Sequence, residues 1–579
     1  MVVYREALRR VAVTAELEGL RASARSAATG TAHDAVVALL IRFGELESAV
    51  LDARWLECDD DDPLSRALRV AGLQLGGALR HAWAGRPAEC RAALQAFERG
   101  LQAAVACEGW PREVSTKLPE GFAYYGLYPE TYLEAASEFA RQNRPRALIV
   151  IGARSIGASL SAVVAAEVHA TGCPVRLYTV RPRGAPIDRQ LRITAAVETA
   201  WRCDAHAHFA VVDEGPGQSG SSLACIASRV ADLGIARERI ALFPSWRAPA
   251  ERLSNDAARA VWSCHPQYVG SFDALWVQSG RLQRACIPGE LLDVSAGRWR
   301  ALWVGDARRG PPVQPQHERR KFVLIAQRGR ERWLLRFAGL GDTGAKRLER
   351  AERLAAMGWT APVHGLAHGF LALSFLEGRV ARRGERGLVR AAAEYLAQVR
   401  AEFSGGAACL DALAAMIRAN VADALGSDWG AALAELPRLE DAARDARAVG
   451  VDARMLPHEW LCTSSGARKA DALDHHDDHF FPGPTDIAWD LAAGSFELAY
   501  SGSERRLLLD HYIACSGDRH VARRLPFHRL AYLAARLGYT RAATGTAPTA
   551  EAAGFGRQAD RYAALLRREI AANLGAPPV

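Results

Sequence analysis

A chain of 579 residues is too long for one hydrophobic core and divides into two to four domains. Its hydrophobic share of 49% and charged share of 24% are those of an ordinary soluble globular protein, with apolar material for several full cores. The net charge of +8 is spread along the chain as single Arg residues rather than gathered into a tail or stripe, so a nucleic-acid binder is disfavoured and phosphorylated small molecules are at least as well supported as partners.

Lys is confined to Lys117, Lys321, Lys346 and Lys469 beside abundant Ala and Arg, the bias of a GC-rich bacterial coding sequence. The 11 Cys residues form no C-x-x-C pair or metal-finger spacing, and Cys173, Cys225 and Cys286 sit among apolar neighbours as small core residues. Met1-Val2-Val3-Tyr4-Arg5-Glu6 opens no signal-peptide apolar region, and no apolar run approaches the roughly 18 residues of a bilayer span. A cytoplasmic location is expected.

Residues 1–110 have helical spacing, as in Ala35 to Ile41 followed by Leu46 and Val50, and lack strand-type runs. The acidic run Asp59 to Asp62, closed by Pro63, reads as a solvated loop. The aromatic stretch Pro119 to Glu130 closes the next domain or forms a hood over a planar ligand. From Arg146 the texture changes. Short apolar runs at 146–151, 175–180, 208–212 and 239–243 alternate with helical segments, the pattern of a parallel sheet with crossover helices.

The run Val211-Val212-Asp213-Glu214 leads into Gly215-Pro216-Gly217-Gln218-Ser219-Gly220-Ser221-Ser222 and then a helix from Leu223. A Gly- and Ser-rich turn before a helix exposes backbone N–H groups and the positive end of the helix dipole to an anion, and the Ser hydroxyls add donors. Two acids at the strand end suit ribose hydroxyls, directly or through Mg²⁺. Earlier, strand 147–151 runs into Gly152-Ala153-Arg154-Ser155-Ile156-Gly157, and Arg181-Pro182-Arg183-Gly184 follows the next strand, where open α/β sheets bind ligands. The G-x-G-x-x-G spacing of a dinucleotide loop is not met.

These residues resemble the phosphoribosyl pyrophosphate (PRPP) signature of type I phosphoribosyltransferases, with a loop one residue longer than usual. The resemblance implies an α/β fold for residues 111–307: a parallel sheet flanked by helices, preceded by the helical region. It implies catalytic roles for Asp213, Glu214 and Arg154, with Mg²⁺ held through the ligand at Asp213 and Glu214. Ser155, Gly157, Arg181, Arg183, Gly217, Gln218, Ser219, Gly220, Ser221 and Ser222 would bind PRPP or another ribose 5-phosphate compound.

Residues 308–317, rich in Pro, read as a linker. Beyond it, in 318–579, a hairpin at 322–337, a helix with Glu349 and Glu352 and the run Phe370 to Gly378 give an α+β domain. With Leu456 to Leu461, Ala472 to Asp477 and Gly483 to Ala492, this order resembles aminoglycoside-phosphotransferase-type kinases. The resemblance implies ATP as a ligand, Arg336 in place of the nucleotide-gripping Lys, Glu349 on the following helix, a catalytic loop at His458 and Glu459, and a metal-binding Asp474. Trp460 then stands where the catalytic Asp belongs, and no Asn follows. The run Asp474 to His479 is a polar loop, because contiguous ligands cannot all face one ion.

Together these readings imply PRPP-dependent transfer to or from a base-like or nitrogen acceptor, with an accessory kinase-like domain and possible oligomerisation. The alternative is a non-catalytic PRPP- or nucleotide-binding regulator with a degenerate kinase-like domain.

Overall fold

The computed structural model describes residues 2–3, 8–30, 32–203, 206–305, 310–316, 320–326 and 331–575. Four long helices make the N-terminal region: Val13–Gly30, α1 (His33–Arg54), Pro63–Trp83 and Pro87–Val105. One strand is hidden among them. Leu8–Ala12 pairs antiparallel with Glu113–Lys117, correcting the all-helical expectation. The five residues Leu8 to Ala12 carry no alternation of their own, and the strand exists only because a partner about 100 residues away supplies its ladder.

The apolar runs form a four-stranded parallel sheet of β1 (Leu148–Ala153), β2 (Val175–Val180), β3 (His208–Val212) and β4 (Ile240–Phe243), in spatial order β2-β1-β3-β4. Strands β1, β3 and β4 are buried along nearly their whole length, as a sheet covered on both faces requires. The order reverses between β1 and β3, so the carboxyl ends of those two strands flank the crevice where open α/β sheets take ligands. Helix α2 (Ile156–His169) follows β1 and is apolar all round, because it lies between the sheet and the N-terminal helices. The helices come so close there that a Cβ on Gly76 would stand 2.3 Å from the Ala162 carbonyl oxygen.

The C-terminal unit begins earlier than the composition suggested. Strand β5 (Gly289–Asp293) pairs with β6 (Lys321–Ala326), which continues through β7 (Arg332–Phe337) to β9 (Phe370–Ser374) and β8 (Val363–Ala367). The result is an antiparallel sheet in the order β8-β9-β7-β6-β5, with α4 (Gly341–Ala356) between β7 and β8. The expected linker therefore lies inside this sheet's β5–β6 connection. Residues 308, 309 and 317–319 lie outside the described residues, but Val313 and Gln314 are buried rather than solvated. A hairpin, β10 (Trp460–Thr463) and β11 (Gly466–Lys469), precedes the helical part that contains α5 (Ala488–Glu497), α6 (Val521–Thr546) and α7 (Thr549–Leu574).

His33, at the start of α1, ties three regions together. Its Nε2 lies 2.8 Å from Glu130 and its Nδ1 lies 3.4 Å from Asp34, while Asp34 also takes the backbone N–H and the Nδ1 of His368 in the β8–β9 turn. Burial by itself would depress the His33 pKa, but Asp34 and Glu130 outweigh it and raise it from 6.5 to about 9. A folded-state pKa above the unfolded value gives stability that is complete below 6.5 and lost as pH rises through 9. Thermal unfolding measured from pH 6 upward should lose up to about 3 kcal/mol of this pair by pH 9, and His33→Gln should flatten that slope.

Candidate functional sites

The first candidate lies at the carboxyl ends of β1 and β3. Gly157 is fixed there by close approach, since a Cβ on it would meet the Val212 carbonyl oxygen at 2.7 Å. Ser155 has φ 111°, a left-handed conformation costly for a residue with a side chain, and strain of this kind gathers at functional turns. Asp213 Oδ1 accepts the Glu214 N–H at 2.8 Å, and the Tyr132 hydroxyl donates to the Asp213 carbonyl at 2.8 Å. Burial raises the Asp213 pKa to about 6; burial, then Asp213 and Glu120, raises that of Glu214 to about 8. Glu214, which keeps its proton at neutrality, is a poor ligand for Mg²⁺, while Asp213 is largely ionised there, so as the pair stands only Asp213 offers a metal a charged oxygen.

The loop 213–222 has the geometry of an anion cradle already filled by the chain. The hydroxyls of Ser219 and Ser221 each reach the Pro186 carbonyl oxygen at 2.8 Å. Pro186 is the tip of a short hairpin, Arg183–Ala185 with Asp188–Gln190, whose Ile187 carbonyl is also held by Asn255. Gly217 and Gln218 are exposed, Gly220 has φ 65°, and Ser221 and Ser222 open α3 (Ser221–Asp232).

The three guanidiniums assigned to pyrophosphate are placed differently. Arg154 is completely buried, with Nε on Asp52 at 2.7 Å, Nη2 on Asp59 at 2.5 Å and Nη1 on the Thr179 carbonyl. Arg181 pairs with Asp52, and Arg183 pairs with Asp59 at 2.9 Å and donates to the Trp55 carbonyl. The acidic run is accordingly no solvated loop. Asp59 is buried and also accepts the Arg181 N–H; Asp60 accepts the Thr194 hydroxyl; Asp61 takes Arg66 and Arg69; Asp62 caps helix Pro63–Trp83. The carboxylates of α1 and the following loop stand opposite these arginines, where an anionic ligand was expected.

The second candidate is a cavity of about 690 Å³ between the antiparallel sheet and the C-terminal helices. A strained loop borders it, with Ala453 at φ 78° and Met455 at φ 51°. That loop is held by α5: Asp490 accepts the backbone N–H groups of Asp452 at 2.6 Å and Ala453 at 2.8 Å, and the Trp489 indole donates to the Ala453 carbonyl. Asp452, which sequence reasoning missed, is thus the acid at the head of the loop. It lies eight residues before Trp460, which is a core residue packed on Tyr395 and Trp359 and fills no acid's place. The signal was present in Val449-Gly450-Val451-Asp452, an Asp after an apolar run with Asp490 in the helix start downstream.

Asp452, Glu459, Asp471 and Asp474 each have a cation of the chain beside them. Lys469, wholly buried on β11, lies 3.0 Å from Asp452 and 3.5 Å from Glu459, and Tyr395 donates to Asp452 at 2.8 Å. Arg336 bridges Asp471 and Asp474, the latter at 2.6 Å. Burial opposes ionisation of Asp471, yet Arg336 holds its carboxyl well below the usual range; burial raises that of Glu459 to about 7. His458 and His475 are depressed to about 3 by burial and by Arg454, so both are neutral. Oxygen donors such as Glu459, Asp471 and Asp474 are the kind Mg²⁺ takes, but Arg336 and Lys469 already supply the positive charge. These acids do not fit a divalent cation in this arrangement.

Glu349 is exposed and bonds to Arg353 at 2.5 Å, one turn along the same helix. The inward face of α4 carries Arg347 and Arg350 instead, so Arg336 has no partner on that helix and falls on Asp471 and Asp474. Glu349→Gln should change stability by less than about 0.5 kcal/mol and leave ligand binding in the cavity untouched, as denaturation and calorimetry would record.

The β5–β6 connection roofs the cavity. Its helix Trp299–Trp303 stacks Trp299 on His458 and Trp303 on Phe375, and Arg300 and the Val313 N–H anchor it to Glu551 of α7. The two units also meet. Glu120 lies 3.1 Å from His479, the Tyr124 hydroxyl donates to the Asp477 carbonyl, and Arg347 reaches both Asp477 and the Ala123 carbonyl. The aromatic stretch 119–130 is the joint between the two units rather than a hood over a ligand.

No protein-family model matches the chain, and no curated protein matches it. Among solved structures, the choline kinase LicA from Streptococcus pneumoniae aligns at 13% identity over 42% of this chain and 89% of its own, with a TM-score of 0.31. A choline/ethanolamine kinase family protein from Mesorhizobium loti aligns at 16% identity over 51% and 98%, TM-score 0.34. An aminoglycoside phosphotransferase from Alicyclobacillus acidocaldarius aligns at 14% identity over 43% and 90%, TM-score 0.30.

Proposed function

We propose that the C-terminal unit is a kinase-like, nucleotide-binding module that holds ATP in its cavity as a regulatory ligand, without phosphoryl transfer. One observation carries the reading: each acid that such chemistry would use is matched by a buried cation of the chain, Asp452 by Lys469 and both Asp471 and Asp474 by Arg336. Phosphoryl transfer needs one acid free to orient the acceptor hydroxyl and others free to bridge metal and phosphates. Here Lys321 and Arg336 line the cavity and supply charge toward the phosphates, with Leu334, Val380 and Leu461 as apolar walls for a base. Calorimetry with ATP in EDTA and in Mg²⁺ tests this. Binding in both, with affinities within about tenfold, is the expected result. Phosphoryl transfer to any hydroxyl acceptor that Asp452→Asn abolishes would overturn it.

A second reading, PRPP-dependent transfer at the parallel sheet, is favoured by the two hydroxyls of Ser219 and Ser221 converging on one oxygen. In it the hairpin tip at Pro186 lifts away and a 5′-phosphate takes its place, with Asp213 and Glu214 at the ribose. Its measure is pyrophosphate release from PRPP with Mg²⁺, screened over nucleobases and small amines. Acceptor-dependent release that Asp213→Asn loses would establish it; no PRPP binding would end it.

A further inference from the structure

The cavity extends past the walls that a nucleotide needs, onto α5, α6 and α7, and there it is strongly cationic. Arg536, Arg557 and Arg561 come from α6 and α7, and Arg383 from the loop after Ala381. The carboxylates lining this half are Glu497 and Asp478. Glu497 is already saturated, taking the hydroxyls of Tyr532 at 2.7 Å and Tyr562 at 2.6 Å and Arg561 Nη1 at 3.0 Å.

Of the remaining guanidiniums, Arg536 has its charge opposed by burial but favoured by Tyr562, Tyr532 and Glu497, while Arg383 and Arg557 stand at the exposed mouth with few partners of their own. Arg557 makes no side-chain hydrogen bond or ion pair among the described residues. Arg536 lies over the rings of Tyr539 and Tyr562, 5.5 Å from each, with one bond of 3.4 Å to the Tyr562 hydroxyl. Among the described residues the Arg383 side chain donates only to the Glu497 carbonyl at 3.3 Å, and its partial burial together with neighbouring Arg561 disfavours its charge. Like charges around a partly desolvated space are costly until an anion enters. The walls between them are aromatic: Phe480 and Phe555 each lie against Tyr539, with centroids 5.3 and 6.2 Å away.

We propose that this half of the cavity is a subsite for a ring-bearing phosphomonoester, whose phosphate is gripped by Arg383, Arg536 and Arg557 while its ring packs on Tyr539 and Phe555. Guanidinium forks match phosphate oxygens in pairs, and a dianion offsets more of the surplus than a carboxylate. A cationic amine is excluded by the same charges. The assignment rests on the reading of the cavity as a nucleotide site, in that it leaves the nucleotide the half formed by β6, β7 and β10.

The test is calorimetric titration of the full chain with ribose 5-phosphate, with ribose and choline as neutral and cationic controls and ATP as the companion ligand. Arg383 and Arg557 are exposed, so Arg383→Gln, Arg557→Gln and the double variant keep the fold. Ribose 5-phosphate should bind and both controls should not; each single change should weaken it about tenfold and the double change about a hundredfold, with ATP affinity held within about twofold. Choline binding as well as ribose 5-phosphate would overturn the proposal. So would ribose 5-phosphate binding that the double variant leaves intact and Ser221→Ala removes, which would assign it to the loop 213–222. If ATP binds and ribose 5-phosphate does not, the subsite fails and the nucleotide reading stands. If ribose 5-phosphate binds and responds to the Arg variants while ATP does not bind, the nucleotide reading fails and the subsite stands.

Discussion

Replacing Arg154 with methionine is expected to cost about 3–5 kcal/mol, because it strips the cation from Asp59, a carboxylate that cannot reach water. The side chain of Arg154 is fully buried and that of Asp59 is 2% exposed, so the change leaves an anion inside the protein with only Arg183 and backbone donors to hold it. In a unit of this size the corresponding thermal transition should fall by about 10 °C. The companion variant Arg154→Met with Asp59→Asn removes both charges, and most of the loss should return. A residue whose business was to bind pyrophosphate would behave oppositely, with the melting temperature unchanged and PRPP affinity lost. The experiment therefore separates an architectural arginine from a ligand-binding one. An unchanged melting temperature in Arg154→Met would refute the architectural role.

Lys469→Met should have a loss of similar size, about 3–5 kcal/mol, in the C-terminal unit. Lys469 is the one cation within 4 Å of Asp452 among the described residues and the nearer of the charges on Glu459, and neither it nor Asp452 touches solvent. Without it the two acids repel across a dry space, and one must take up a proton. Burial disfavours the Lys469 charge, but Asp452 and Glu459 more than restore it, so the folded pKa lies above the ordinary lysine value. The stability it lends is therefore complete at neutral pH and lost only in strongly alkaline solution. In Lys469→Met the balance moves to the acids. Stability should then improve more steeply as pH falls toward 5 than it does in the wild type, where the raised carboxyl of Glu459 already takes up a proton near pH 7, and melting curves between pH 5 and 8 would record the difference. A variant as stable as wild type at pH 8 would mean that the acids find another counter-charge.

Much of the parallel sheet was legible in the chain. Runs such as Leu148 to Ile151 and His208 to Val212 are short, apolar and β-branched, and they fold as the strands that pattern demands because both faces are buried. The loop 213–222 was legible because Gly215, Pro216, Gly217 and Gly220 end the apolar strand pattern just before a helical one begins at Ser221, and Gly220 takes the left-handed φ of 65° that glycine allows. Strand β5 was not. Gly289-Glu290-Leu291-Leu292-Asp293 has no distinctive pattern, and its partner β6 begins 28 residues after Asp293. Glu349 shows the converse limit: helix α4 was foreseen, but which of its residues face inward depends on the sheet it packs against.

Asp452 and Trp460 show why the surroundings of the second site were not legible in the chain. The loop between Asp452 and β10 is shaped by its own left-handed residues Ala453 and Met455 and by Trp489 and Asp490, which hold it from 36 and 38 positions away. The sequence by itself determined where the chain is apolar, where it turns and which acids and arginines exist. Only the tertiary structure decided which of those charges meet. Ion pairs such as Arg154 with Asp52 and Asp59 join residues about 100 positions apart, and Arg336 with Asp474 about 140 apart. A charge signals the same composition whether it faces a ligand or another side chain, and burial, which no local pattern reports, selects between the two.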